Sequence, residues 1–94
     1  MNNIQQSSGV LSKYITDPIE RIVAEGLERA GLPFLHGDHT PDFYVPSLDL
    51  EIEVKQFYSP RAIRQLEGKT NIILIQGREA AEAFVKMIGD SDGL

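Results

Sequence analysis

The clearest pattern in the chain is a run of apolar residues at helical spacing that starts near residue 17. The segment Thr16-Asp17-Pro18 supplies a capping side chain followed by a proline, which is typical of a first helical turn. Gly31 and Pro33 then stop the helix. The pattern predicts a helix over residues 17–30, and its apolar face comprises Ile19, Ile22, Val23, Leu27 and Ala30.

In the middle of the chain a period of two replaces the helical period. Residues 34–36 predict a short strand, and residues 37–41 predict a turn. Residues 42–45 and 48–56 flank Pro46-Ser47 and predict a β-hairpin. In its second arm the apolar side chains alternate with polar ones. One face has Leu50, Ile52 and Val54, and the other has Asp49, Glu51, Glu53 and Lys55.

After the hairpin the pattern predicts three more elements. These are a helix over residues 61–67, a buried strand over residues 71–76 and a last helix over residues 79–88. The apolar stripe of the last helix would comprise Ala80, Ala83, Phe84 and Met87. The order α-β-β-β-α-β-α predicts an α/β fold with a mixed sheet flanked by helices.

The ends of the chain and its size define the domain organisation. Residues 1–12 are polar and without periodicity, so we expect a flexible N-terminal arm. A chain of 94 residues has room for one core, which predicts a single domain over residues 13–90. No apolar run reaches the roughly 20 residues that a membrane span needs.

Composition narrows the possible functions. There are no cysteines, so disulfides and thiolate metal sites are excluded. That composition fits a reducing compartment, and we expect a cytoplasmic protein without a membrane partner. The net charge of −5 argues against binding a polyanion, because phosphate contacts need clustered cations. It is compatible with an acidic interaction module, and also with a local excess of metal-binding carboxylates.

Two acidic residues of the hairpin are candidates for such a metal site. Asp42 opens the first arm, and in a regular hairpin it would lie across from Glu53. Two close carboxylates repel each other unless a cation sits between them. Oxygen ligands favour Mg²⁺ or Mn²⁺, and the backbone carbonyl of Val54 could add another. The alternative for the acidic strand face is simple solvation, as in many antiparallel sheets.

The same residues carry a family resemblance. Pro41-Asp42, ten intervening residues and then Glu53-Val54-Lys55 resemble the P-D…(D/E)-x-K signature of the restriction-endonuclease-like (PD-(D/E)XK) nucleases. The element order over residues 17–88 resembles the shared core of that superfamily. Glu20, eleven residues before Gly31, resembles the helical glutamate of its resolvase-like branches. Within the superfamily, the chain is most similar to small resolvase-like and virus-type stand-alone nuclease modules.

The resemblance implies a Mg²⁺-dependent endonuclease that hydrolyses phosphodiester bonds, with DNA as the expected substrate and weak sequence specificity. Asp42 and Glu53 would bind the metal ion, and Glu20 would reach it through a water molecule. Lys55 would orient or deprotonate the attacking water, or neutralise charge on the phosphate. The alternative for Glu20 is an acidic first-turn residue that stabilises its helix.

Candidates for substrate contact follow the motif. They are Gln56, Tyr58, Arg61, Arg64 and Lys69. Strict alternation turns Gln56 to the opposite face of the strand, whereas Arg61 and Arg64 share a helix face. Three cations make a thin surface for nucleic acid, so we expect a homodimer or a larger assembly.

Two histidines and two alternative functions have to be considered as well. His36 and His39 lie near the turn before Asp42, and we interpret both as structural or solvated. At the level of function, the chain could be a non-catalytic acidic α/β protein-interaction module. It could also be a nucleic-acid binder without nuclease activity.

Overall fold

A computed structural model describes residues 5–6, 11–37, 41–57 and 60–92. The elements are β1 (Gln5–Gln6), α1 (Pro18–Arg29), β2 (Leu35–His36), β3 (Phe43–Val45), β4 (Leu50–Lys55), α2 (Pro60–Gln65), β5 (Ile72–Gln76) and α3 (Gly77–Asp92). Short 3₁₀ helices occupy Leu11–Tyr14 and Pro46–Leu48. From residue 18 onwards the order of helices and strands is the predicted one. None of the helices in the described part of the chain is long and apolar enough to cross a membrane.

Helix α1 begins where its local chemistry predicts. The Asp17 carboxylate accepts hydrogen bonds from the amides of Ile19 and Glu20, at 2.9 and 2.8 Å. These bonds satisfy two amides that have no partner within the helix. Gly31, with a φ of 72°, adopts the left-handed conformation that ends the helix. The prediction of a helix over residues 17–30 is confirmed, and its buried face comprises Ile19, Val23, Ala24, Gly26 and Leu27.

Within residues 1–12, the predicted flexible arm, two places contact the rest of the domain. Gln5–Gln6 forms β1, which pairs with β2. Ser12 is buried, and its amide and hydroxyl donate to the Glu28 carboxylate at 3.0 and 2.7 Å. Backbone pairing and hydrogen bonds hold these residues. Neither interaction requires apolar residues at a regular spacing, so the sequence pattern did not indicate them. The remaining residues of that range up to Val10 lie outside the described part of the chain.

The sheet is mixed, with strand order β1-β2-β3-β4-β5. The first four strands are antiparallel, and β5 runs parallel to β4. The predicted hairpin is confirmed by the β3–β4 pairing, in which Phe43 opposes Ile52. Its turn is longer than predicted, because Pro46–Leu48 forms a 3₁₀ helix and Asp49 is left-handed, with a φ of 47°. Leu48 and Asp49 therefore precede the strand instead of belonging to it.

The C-terminal elements differ in detail from the prediction. Strand β5 lies at the edge of the sheet, and only Ile75 in it is fully buried, so the expectation of a buried strand is wrong. Helix α2 is shorter than predicted and α3 is longer. The core-facing residue of α3 is Ala81, with Phe84 and Ile88 packed beside the core. Met87, expected in the apolar stripe, is 63% exposed, because the contact with α1 decides which side of α3 faces inward.

The core lies between the helices and one face of the sheet. Phe43, Val45, Ile52 and Val54 alternate along the hairpin, and they are buried together with Leu27 and Phe34. Helix α3 crosses α1 closely at Gly26, where an added Cβ would lie 2.4 Å from a methyl group of Val85. The packed face holds the hairpin in place, and Glu53 and Lys55 lie in the second half of β4.

Candidate functional site

The hairpin brings Asp42 and Glu53 together. Asp42 immediately precedes β3, and the register that pairs Phe43 with Ile52 places Asp42 opposite Glu53. Each acid is braced by the other arm. The Asp42 carboxylate accepts from the Val54 amide at 2.8 Å, and the Glu53 carboxylate accepts from the Asp42 amide at 3.2 Å. These two bonds fix the directions of both side chains without any contribution from a ligand.

The environment of Asp42 disfavours its ionised form. Burial is the largest cause, and the neighbouring charges of Glu20 and Glu53 add to it. The hydrogen bond from the Val54 amide opposes these effects only in part. The pKa of Asp42 is raised from 3.8 to about 7. Burial and the two neighbouring acids thus outweigh the one hydrogen bond that favours the Asp42 carboxylate.

Lys55 forms an ion pair with Glu53. Its ammonium lies 3.2 Å from the second carboxylate oxygen of Glu53. The Glu53 side chain is 3% exposed, whereas that of Lys55 is 38% exposed. A buried carboxylate needs such partners, because an unpaired buried charge is costly. Lys55 therefore extends from Glu53 toward solvent.

Glu20 and His36 form a second part of the same region. Glu20 lies in the first turn of α1, and its carboxylate is 2.9 Å from the Nε2 atom of His36. Both residues line an open cavity of about 290 Å³ together with Asp42. Glu20 and Asp42 therefore face the same cavity. Sequence reasoning treated His36 as structural and missed this pair, since no local pattern links residues 16 positions apart.

The acidic side chains of this region are possible ligands for a divalent cation. In residues 11–37, 41–57 and 60–92, no group of three or more His, Cys, Asp or Glu side chains is arranged to hold a metal ion. Asp42 and Glu53 are two carboxylates whose directions are fixed by hydrogen bonds from backbone amides. Oxygen donors of this kind fit Mg²⁺ or Mn²⁺, which proteins often bind through one or two carboxylates and several waters. The residues present therefore fit such an ion with two direct side-chain ligands.

The candidates for substrate contact are more dispersed. Gln56, Arg61 and Arg64 are exposed, and Tyr58 lies outside the described residues. Lys69 is not brought to Lys55. The Lys69 ammonium pairs with Glu51 at 3.1 Å. Glu51 lies four residues before Lys55 on β4, which corresponds to about 13 Å along a strand. The structure adds one residue to the surroundings of Lys55, namely Gln76, which is its partner on β5.

Gln76 carries a polar group that the described residues leave unsatisfied. Its side-chain nitrogen is buried and has no hydrogen-bond partner. Buried polar groups are satisfied in most proteins, so this amide is an exception beside the candidate site. Sequence reasoning included Gln76 only as the end of a strand. A polar residue that ends an otherwise apolar run was the available signal.

Comparison with known proteins adds no relative, since no family model, curated protein or solved structure matches the chain. The resemblance to the restriction-endonuclease-like nucleases therefore rests on the sequence motif and the element order alone.

The raised pKa of Asp42 predicts a particular dependence of stability on pH. Because the folded-state pKa lies above the unfolded value, the folded protein binds this proton more tightly than the unfolded chain does. The resulting stabilisation is fully present below the unfolded pKa of 3.8 and is lost as pH rises through about 7. Asp42→Asn mimics the neutral form, and its amide oxygen can still accept from Val54. Without metal, we expect its free energy of unfolding to fall less than that of the wild type between about pH 5 and pH 8.

Denaturant unfolding at several pH values, with a chelator present, measures this difference. Glu25→Gln is the matched control, because Glu25 pairs with Arg21 on the outer face of α1. That variant should follow the wild-type curve. Parallel curves for Asp42→Asn and the wild type would contradict the prediction.

Proposed function

We propose that this protein is a metal-dependent nuclease that hydrolyses phosphodiester bonds, with Mg²⁺ or Mn²⁺ as cofactor and DNA as substrate. The observation that carries the proposal is the arrangement of Asp42, Glu53 and Lys55. Two acids are braced side by side across a hairpin, and an ammonium lies 3.2 Å from one of them. This combination of paired carboxylates and a neighbouring cation suits phosphate chemistry.

The roles of the residues follow from their positions. Asp42 and Glu53 would hold the ion, with the backbone carbonyl of Val54 as a further ligand and Glu20 acting through a water molecule. When bound, the ion would polarise the scissile phosphate and lower the pKa of the attacking water. Lys55 projects from the same strand face as Glu53. It would orient that water or neutralise charge that develops on the phosphate.

Substrate binding has to overcome the net charge of −5. The exposed residues Arg61 and Arg64 lie on α2, which begins five residues after Lys55. They are therefore close in sequence to the end of β4 where the candidate site lies. A homodimer would double this small basic surface and set two sites against two strands of a duplex. We propose an endonuclease that acts as a dimer or within a larger assembly.

A second candidate function is a non-catalytic protein-interaction module. Phe57 is 74% exposed and Ile63 is 42% exposed, so this part of the chain exposes apolar side chains as well as the arginines of α2. Such a surface suits a protein partner as well as a nucleic acid. In that case the carboxylates would be a structural cluster without a metal ion. Metal binding separates the two candidates.

The decisive test of the proposed site is a calorimetric titration with Mn²⁺. We expect the wild type to bind the ion and to gain thermal stability from it by mass action. Glu53→Gln keeps an oxygen that can accept from the Asp42 amide but removes the charge, and it should bind Mn²⁺ at least about tenfold more weakly, in keeping with about 1.4 kcal/mol for a lost ligand. The matched control is Glu51→Gln on the same face of β4, which should bind as the wild type does. Equal binding by Glu53→Gln and the wild type, or no binding at all, would refute the proposal.

A further inference from the structure

We infer that His36 is a positioning residue for the metal site, acting by holding the Glu20 carboxylate toward the ion. The inference rests on the proposed function, and it deepens it by assigning a role to a residue outside the motif. Its basis is the Glu20–His36 contact together with the cavity that both residues share with Asp42.

The contact itself is well defined. Oε1 of Glu20 and Nε2 of His36 are 2.9 Å apart, and the two side chains are only 22% and 20% exposed. A glutamate in the first turn of a helix otherwise has several rotamers available, and ordering such a side chain costs conformational entropy. The bond to His36 selects one of these directions. One oxygen of Glu20 is thereby used for orientation.

His36 is itself held by the sheet. It lies on β2 directly opposite Phe43, and the centroids of the two rings are 4.9 Å apart. Phe43 is fully buried and packs edge-on against Phe34, so it provides an immobile surface. The imidazole therefore has little freedom to leave Glu20. A hydrogen bond from a group already fixed in place costs little additional ordering.

The cavity explains what the orientation achieves. It has a volume of about 290 Å³ and is lined by Glu20, His36 and Asp42 among others. At about 30 Å³ each, roughly ten water molecules would fit. Mg²⁺ and Mn²⁺ retain several waters when proteins bind them through few carboxylates. The cavity thus offers space for the water shell on the Glu20 side of Asp42, and Glu20 is near enough that its charge acts on Asp42.

Removal of the imidazole should therefore weaken metal binding without removing any ligand. Outer partners of metal-site residues typically contribute 10–100-fold in affinity. For His36→Leu, which keeps an apolar side chain against Phe43, we expect the Mn²⁺ dissociation constant to rise about 10–100-fold. His36→Gln places an amide donor near Glu20 and should restore most of the affinity.

The control is another pair on α1 that includes a glutamate, namely the ion pair between Arg21 and Glu25. Arg21 and Glu25 are 3.3 Å apart on its exposed face, so Arg21→Gln breaks a comparable pair that is remote from the cavity. That variant should bind Mn²⁺ as the wild type does. In a Glu20→Gln background, His36→Leu should cause no further loss, because its effect passes through Glu20. A purely structural role would instead make the two losses add.

The experiment measures Mn²⁺ affinity by calorimetry and the metal-induced rise in melting temperature, after circular dichroism shows that each variant is folded. If His36→Leu does not fold, His36→Asn replaces it, since the shorter amide stays polar but does not reach Glu20. Wild-type affinity in the substituted protein would overturn the inference and leave the proposed function standing. A wild type that binds no Mn²⁺ would overturn both.

Discussion

Replacement of Lys55 by methionine is expected to reduce metal-dependent DNA cleavage by about 10²–10⁴-fold. The variant retains the apolar stem of the side chain and removes only the ammonium. Because that ammonium pairs with the Glu53 carboxylate at 3.2 Å, its removal also takes away a cation that would compete with the proposed ion. We therefore expect Lys55→Met to bind Mn²⁺ at least as tightly as the wild type. Lost cleavage with retained metal affinity would identify a residue that acts on the reacting phosphate or water.

The acids should behave differently. Asp42→Asn and Glu53→Gln keep the oxygens that accept from the Val54 and Asp42 amides, so the hairpin should still form. Both variants should lose metal affinity and cleavage together, since the charge that holds the ion is gone. The contrast between the acids and Lys55 distinguishes metal ligands from a residue of the chemical step.

The measurement is the cleavage of supercoiled plasmid and of branched oligonucleotides. Reactions contain Mg²⁺ or Mn²⁺, and a reaction with a chelator serves as the blank. Lys86→Ala is the control, because Lys86 is an exposed lysine on α3 that does not line the cavity of Glu20 and Asp42. It should cut at the wild-type rate. Undiminished cleavage by folded Lys55→Met, or by Asp42→Asn, would remove the site from the mechanism. Activity that survives the chelator would exclude a metal-dependent reaction altogether.

Gly26→Ala is expected to destabilise the fold by about 1–3 kcal/mol, although alanine normally favours a helix over glycine by about 1 kcal/mol. An added Cβ would lie 2.4 and 2.7 Å from the two methyl groups of Val85. Valine has a stiff side chain, so it cannot simply rotate away. The helices α1 and α3 would have to separate, and their contact would lose packing. In a domain of this size the melting temperature should fall by about 4–20 °C.

Two variants make this prediction specific. Val85→Ala in the Gly26→Ala background removes the clashing methyl groups, so the double variant should be more stable than Gly26→Ala alone. Gly89→Ala tests the same substitution elsewhere, since nothing lies within 4 Å of an added Cβ there. Gly89 lies within α3, and this change should leave stability equal or raise it. If thermal unfolding gave Gly26→Ala and Gly89→Ala the same stability, close helix packing would not be the reason for Gly26.

Local sequence chemistry determined the elements that carry the candidate ligands. The bounds of α1 follow from the Asp17 cap, the proline after it and the left-handed Gly31. The β3–β4 hairpin follows from alternation on both sides of Pro46. Once the hairpin exists, its register places Asp42 across from Glu53. For this reason the paired acids could be predicted from neighbouring residues alone.

Only the tertiary structure decided which distant residues meet. The contacts of Glu20 with His36 and of Ser12 with Glu28 each join residues 16 positions apart, and Gly26 meets Val85 across two helices. The place of β5 at the sheet edge likewise depends on packing. Periodicity reports which face of an element is apolar, but it carries no information on which element covers that face. Caps and turns act within a few residues, whereas these contacts depend on the three-dimensional arrangement of the whole domain.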